Sequence, residues 1–153
     1  MIGEVLVRYA DAITTAIAAQ DRMTVPVQAF RPEAPAGPVI WVSFAGITWR
    51  AGAYRVSARA TCLGADGLAP PMGEAWLAAL ADYAVMGARA IGAAEGVTAT
   101  PATVTQGSGI WPTIEVVAPV PVSQCTEPTV LPEPEGIDLP WLHRLSSSLP
   151  TPA

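Results

Sequence analysis

The residues that could do chemistry in this 153-residue chain are few and scattered. His143 is its single histidine, and Cys62 and Cys125 are its only thiols. A nucleophilic centre needs an oriented base within reach, and a metal site needs three or four convergent ligands. One imidazole among C-terminal prolines and two distant cysteines meet neither requirement, and a surface histidine beside a docking segment is the simpler reading of His143. Paired carboxylates offer another route to proton transfer. Glu4, Asp11, Asp21, Glu33, Asp66, Glu74, Asp82, Glu95 and Glu115, however, nearly all fall at turns, helix starts or polar helix faces, and Glu74 reads as a favourable charge near the positive end of a helix. Gly107-Ser108-Gly109 is no phosphate loop: no Lys follows it, and strands flank it where such a cradle needs a strand, a loop and then a helix. No catalytic, cofactor-binding or metal-binding residue is therefore assigned, and the chain is read as a protein that is not an enzyme.

One constellation remains. Arg55 and Arg59 share a face of one strand, with Arg50 close by in sequence. They fit an ordinary polar sheet face, or an interface row lining a ring or its lumen and repeated once per subunit.

The elements that must position these residues follow from periodicity. Ile2, Val5, Leu6, Tyr9, Ile13 and Ile17 recur at spacings of three and four, which predicts an amphipathic helix from about residue 2 to 20. Residues 24–30 read as an edge strand, because Pro26 cannot donate to a ladder. Residues 31–38 are too rich in Pro and Gly to be regular, and residues 39–44 resume as a central strand. Gly46 is expected to break that run, with residues 47–50 starting another extended segment. From Ala53 to Leu63 the alternation is clean: Tyr54, Val56, Ala58, Ala60 and Cys62 point to the core, while Arg55, Ser57, Arg59 and Thr61 point to water. Pro70-Pro71 is read as a breaker, with a second helix from Gly73 whose stripe is Trp76, Leu77, Leu80, Ala84, Gly87 and Ile91. Ala84, Gly87 and Ala88 would let a neighbour approach closely, either the chain's own sheet or another subunit. Residues 102–106 and 110–117 form a β-hairpin. The expected fold is α+β: an antiparallel meander with two main helices packed on it.

Composition sets the class. One core is expected in residues 1–122, and the 51% hydrophobic and 14% charged content suggests surface covered by neighbours. A net charge of −5 with no basic stripe argues against a protein that grips nucleic acid. All eight cations are Arg, with no Lys and no Asn, which fits a GC-rich genome, that of a bacterium or one of its viruses. No stretch approaches a membrane span and no secretory signal opens the chain. Synthesis in the cytosol follows, with a buried and an incidental thiol favoured over a disulfide between Cys62 and Cys125.

Residues 123–153 read as a separate Pro-rich acidic arm. Pro128, Pro132, Pro134, Pro140 and Pro150 bar it from a helix interior or a central strand, and Glu127, Glu133, Glu135 and Asp138 keep it acidic. Ile137, Leu139, Trp141, Leu142 and Leu145 nevertheless carry enough apolar surface to dock on a partner.

A helix, a meander, a second helix across the sheet and a closing hairpin, in a small acidic chain, resemble the tail terminator proteins of long-tailed bacteriophages. The residues that carry the resemblance are the Ile2 to Ile17 stripe, the strands at 39–44 and 54–61, the Trp76-Leu77-Leu80 helix and the strand at 110–117, so it covers roughly residues 1–122. The resemblance implies a structural virion protein of a siphovirus-like particle. Such proteins form a hexameric ring on the head-proximal end of the tail tube, end its polymerisation and present the surface for head–tail joining. The implied partners are further copies of the chain, the tail tube protein and the head–tail connector, with DNA passing through without specific binding and no membrane involved. The implied location is the tail or neck of the virion, reached through the host cytoplasm during assembly. Another neck or head-completion connector protein is the nearest alternative, and a small bacterial α+β ligand-binding domain or enzyme a more distant one.

Overall fold

A computed structural model of the chain describes residues 2–20, 24–50, 53–65 and 70–122. Its elements are α1 (Ile2–Gln20), β1 (Val27–Ala29), β2 (Val39–Arg50), β3 (Ala53–Leu63), α2 (Pro70–Ala90), β4 (Thr98–Gln106) and β5 (Gly109–Val122). The strands form one sheet in the order β1-β2-β3-β5-β4, parallel only between β1 and β2. The class is α+β, with two helices on a mostly antiparallel sheet.

Both helices cover the same face. α1 lies over β1, β2 and β3, and α2 over β3 and β5. The stripe read from the sequence supplies the α1 side of the core: Val5, Leu6, Tyr9, Ile13 and Ile17 are buried. They meet Ile40, Val42, Val56, Ala58, Ala60, Cys62, Val116, Ala118 and Val120 of the sheet. Each large side chain removed from water in this way contributes about 1.5–3 kcal/mol, which makes this layer the main source of stability. Inside α1 the Thr14 and Thr15 hydroxyls each donate to the carbonyl four residues back, of Ala10 and Asp11 respectively, which satisfies them within the helix.

α2 starts earlier than the proline pair suggests. Pro70 and Pro71 occupy its first turn, where the missing N–H has no helical acceptor and the fixed φ suits the helix. Glu74 consequently lies beyond the first turn. The helix closes as expected, with Gly92 N donating to Arg89 O and Ala93 N to Ala88 O, the paired bonds of a Schellman cap. The β4–β5 hairpin turns on Gly107 and Ser108, flanked by the Gln106–Gly109 pair, and Gly107 takes φ +60° as a Gly-first two-residue turn requires.

The sheet also departs from the sequence reading. The strand expected over 24–30 is only three residues long and parallel to β2. Gly46 does not end β2; the strand absorbs it as a bulge between Phe44 and Gly46 and continues to Arg50. The sheet face away from the helices is not wet throughout. At one end Val39, Trp41 and Leu63 are buried together, with Val104 and Trp111 packed against them, and Thr61 and Thr113 are buried too. The Arg31 side chain, at the start of the 31–38 loop, reaches that end: its guanidinium stands 6.0 Å from the Trp41 ring centre and donates to Thr105 O at 3.0 Å.

Candidate functional site

Sheet and helices differ in length, and the difference creates an uncovered surface. β2 has 12 residues, about 40 Å at about 3.3 Å each, whereas the 19 residues of α1 span about 28 Å. The β2–β3 hairpin therefore runs on past the helix layer. Register pairs Phe44 with Ala58, Ile47 with Val56 and Trp49 with Tyr54, so these side chains share the face that carries the core. Val56 and Ala58 are fully buried, but Phe44 (45%), Ile47 (48%), Trp49 (59%) and Tyr54 (50%) are exposed. Tyr54 thus lies on the predicted face without reaching the helices. Trp49 and Tyr54 pack edge to face, ring centres 4.2 Å apart at 66°, a pairing that holds both rings in place.

The backbone of this hairpin is open as well. β1 pairs only with Ile40, Trp41 and Val42, and Phe30 N closes the ladder by donating to Val42 O. From Ser43 to Arg50 no described strand lies on the outer edge of β2, leaving N–H and C=O groups available to another chain. Phe30 itself stands at the point where this edge opens, 59% exposed and with φ +69°, a conformation costly for a residue with a Cβ.

The arginine row lies on the opposite face of the same hairpin. Arg59 is paired inside the subunit: its Nε stands 3.6 Å from a Glu115 carboxylate oxygen. Arg55 is half-buried between Thr48 on β2 and Pro121 on β5. Arg50 ends β2, and its side chain lies outside what is described. The structure thus brings Arg55 and Arg59 onto one face and gives Arg59 an in-chain partner that the sequence reading did not assign. Ile137, Leu139, Trp141, Leu142, Leu145, His143 and Cys125 all lie outside the described residues.

The buried polar groups are structural. The Tyr9 hydroxyl donates to Ala84 O at 2.8 Å, which ties α1 to α2; burial pushes its ionisation well up, and the nearby Cys62 adds to the effect. Burial likewise pushes the Cys62 thiol from its ordinary 9.0 up to about 12, so it stays protonated and unreactive at neutral pH. Among the described residues no three His, Cys, Asp or Glu side chains gather to hold a metal ion, and no helix is long and apolar enough to cross a membrane. Gly3, Glu4, Val7, Arg8 and Asp11 line a shallow depression, but all five belong to the outer side of α1. Compared with protein-family models, curated proteins and solved structures, the chain matches none.

The sequence reading missed the aromatic face because it split β2 at Gly46. A signal was present: Phe44, Ile47 and Trp49 restore alternation if one residue is bulged, and the run then outlasts any helix available to cover it.

Proposed function

We infer that this is a structural assembly protein whose subunits join through the projecting β2–β3 hairpin, in the role of a tail terminator ring on a long-tailed phage. The observation that carries the reading is the aromatic face of Phe44, Ile47, Trp49 and Tyr54 beside an open strand edge. Contiguous apolar surface of this kind on a small subunit marks an interaction site. The α+β architecture agrees with the expectation drawn from the family resemblance. The acidic net charge suits a ring that DNA traverses without being held. Ring closure requires a head-to-tail interface, in which the hairpin of one copy meets a different surface on the next.

The direct test is termination itself. Purified protein added to polymerising tail tube subunits should stop growth and leave a ring of six copies on one end of each tube in electron micrographs. Tubes that elongate unchanged, with no added density at either end, would overturn the reading. Binding to isolated head–tail connectors but not to tubes would move the protein to another position in the neck.

A further inference from the structure

The uncovered hairpin has a counterpart elsewhere in the sequence. From residue 34 to residue 65 the chain carries Arg50, Arg55 and Arg59 and no carboxylate, whereas residues 123–153 carry Glu127, Glu133, Glu135 and Asp138 against Arg144 alone. Apolar character matches as charge does. The exposed Phe44, Ile47, Trp49 and Tyr54 face is a platform for aromatic and aliphatic side chains, and Ile137, Leu139, Trp141, Leu142 and Leu145 are clustered in nine residues of the arm. Position links the two. Val122, the last residue of β5, pairs with Tyr54, so the arm starts about one strand spacing, roughly 5 Å, from the aromatic face.

We propose that the aromatic face of the β2–β3 hairpin is the docking site for residues 137–145 of a second copy of this chain. The intervening length selects the second copy. Residues 126–136 include Pro128, Pro132 and Pro134, and a polyproline-type chain of that length spans roughly 30 Å at about 3.1 Å per residue. Such a spacer carries Trp141 away from its own hairpin, which stands beside the arm's root, and toward that of a neighbour. The hairpin carries no carboxylate to repel the acidic spacer; Arg55 stands on the face opposite the aromatic one and Arg59 is paired with Glu115, so charge assists encounter and the apolar contact fixes the site. Each copy gives an arm and offers a hairpin, the head-to-tail relation that builds rings. The proposal rests on the assembly reading above and names the contact that it needs.

The test is site-directed cross-linking between full-length chains, all carrying Cys125→Ser, with Cys62 left in the core. One copy carries Tyr54→Cys, or Phe30→Cys as a second variant that leaves Trp49 in place; a differently tagged copy carries Leu142→Cys. Thermal melts confirm folding, since positions 30 and 54 are exposed and their replacement opens no core. Under mild oxidation the mixture should yield a disulfide between the two tagged copies. Ile47→Glu on the hairpin copy, or Trp141→Ala on the arm copy, should cut its yield about tenfold or more. Absence of a link between copies from both cysteine positions would overturn the proposal. So would a chain bearing both cysteines that closes only on itself, or a link indifferent to Ile47→Glu and Trp141→Ala. Particle mass is read separately: linked copies that form open chains without closed rings would sink the ring and keep the docking, and rings without an arm–hairpin link would do the reverse.

Discussion

Gly87 of α2 and Ile13 of α1 meet with no room for a methyl group between them: a Cβ at position 87 would lie 2.7 Å from Ile13 Cγ1 and 2.9 Å from the Ile13 backbone nitrogen. The small residues of α2 therefore serve the approach of the other helix, not that of a second subunit. Gly87→Ala gains helix propensity of about 1 kcal/mol but forces two backbones apart, at a cost of about 1–3 kcal/mol. A lower denaturant midpoint is expected for the variant. An unchanged or higher one would mean that the helices separate freely at this point.

The same crossing is tied by the Tyr9 hydroxyl on Ala84 O. Tyr9→Phe keeps the ring in the core and removes the bond, and the Ala84 carbonyl retains its place in the helix ladder. The expected loss is about 1 kcal/mol, seen as a small drop in thermal midpoint with an unchanged circular dichroism spectrum. A loss several times larger would assign the hydroxyl a wider role in the core.

Much of this core was legible in the sequence because it depends on period alone. The α1 stripe and the β3 alternation each identify a buried face without reference to anything distant, and both faces are found where periodicity puts them, Tyr54 excepted. What was not legible depends on lengths and on contacts far apart in the chain. Whether Tyr54 is covered is decided by where α1 and α2 stop, and whether Leu63 is wet is decided by Val104 and Trp111, more than 40 residues away, packing against it and Trp41. Pro70 and Pro71 misled because a proline pair reads the same at a helix start as in a loop. The bulge at Phe44/Gly46 misled because one extra residue breaks a period of two without breaking the strand.

Burial of two weak acids sets the response to alkali. The folded state holds the Cys62 proton up to about 12 against 9.0 in the open chain, and the Tyr9 phenol is raised above its ordinary 10.0. Folded groups that keep their protons longer than unfolded ones contribute stability that is complete below about pH 9 and falls as pH rises toward 12. Each linked proton corresponds to about 1.4 kcal/mol per pH unit. Urea titrations of the Cys125→Ser chain from pH 7 to 11 should show a plateau and then a decline, and Cys62→Ala should flatten the earlier part of that decline. Constant stability through pH 11 would contradict the burial of both groups.

Arg31 acts as the clasp of the 31–38 loop, with its guanidinium near the Trp41 ring and bonded to Thr105 O. Its removal frees the loop from the far edge strand and leaves the helix-covered core intact. Arg31→Ala should therefore speed limited proteolysis within residues 31–38 several-fold while lowering global stability by about 1 kcal/mol or less. Cleavage at the unchanged rate would show that the loop is held by its backbone alone.

Trp49 and Tyr54 separate stability from association. Their edge-to-face contact is solvent-exposed and contributes about 0.5–1.5 kcal/mol, so Trp49→Ser should cost the isolated subunit no more than about that amount. The same substitution removes the largest ring from the apolar face that continues beyond the helices, and a buried Trp at an interface commonly accounts for about 2 kcal/mol or more of binding. Sedimentation at increasing concentration should show association of the natural chain shifted at least about tenfold toward higher concentration in Trp49→Ser, with melting curves nearly superimposed. A variant that melts far lower would make Trp49 part of the core instead, and one that associates as the natural chain does would remove the hairpin face from the assembly interface.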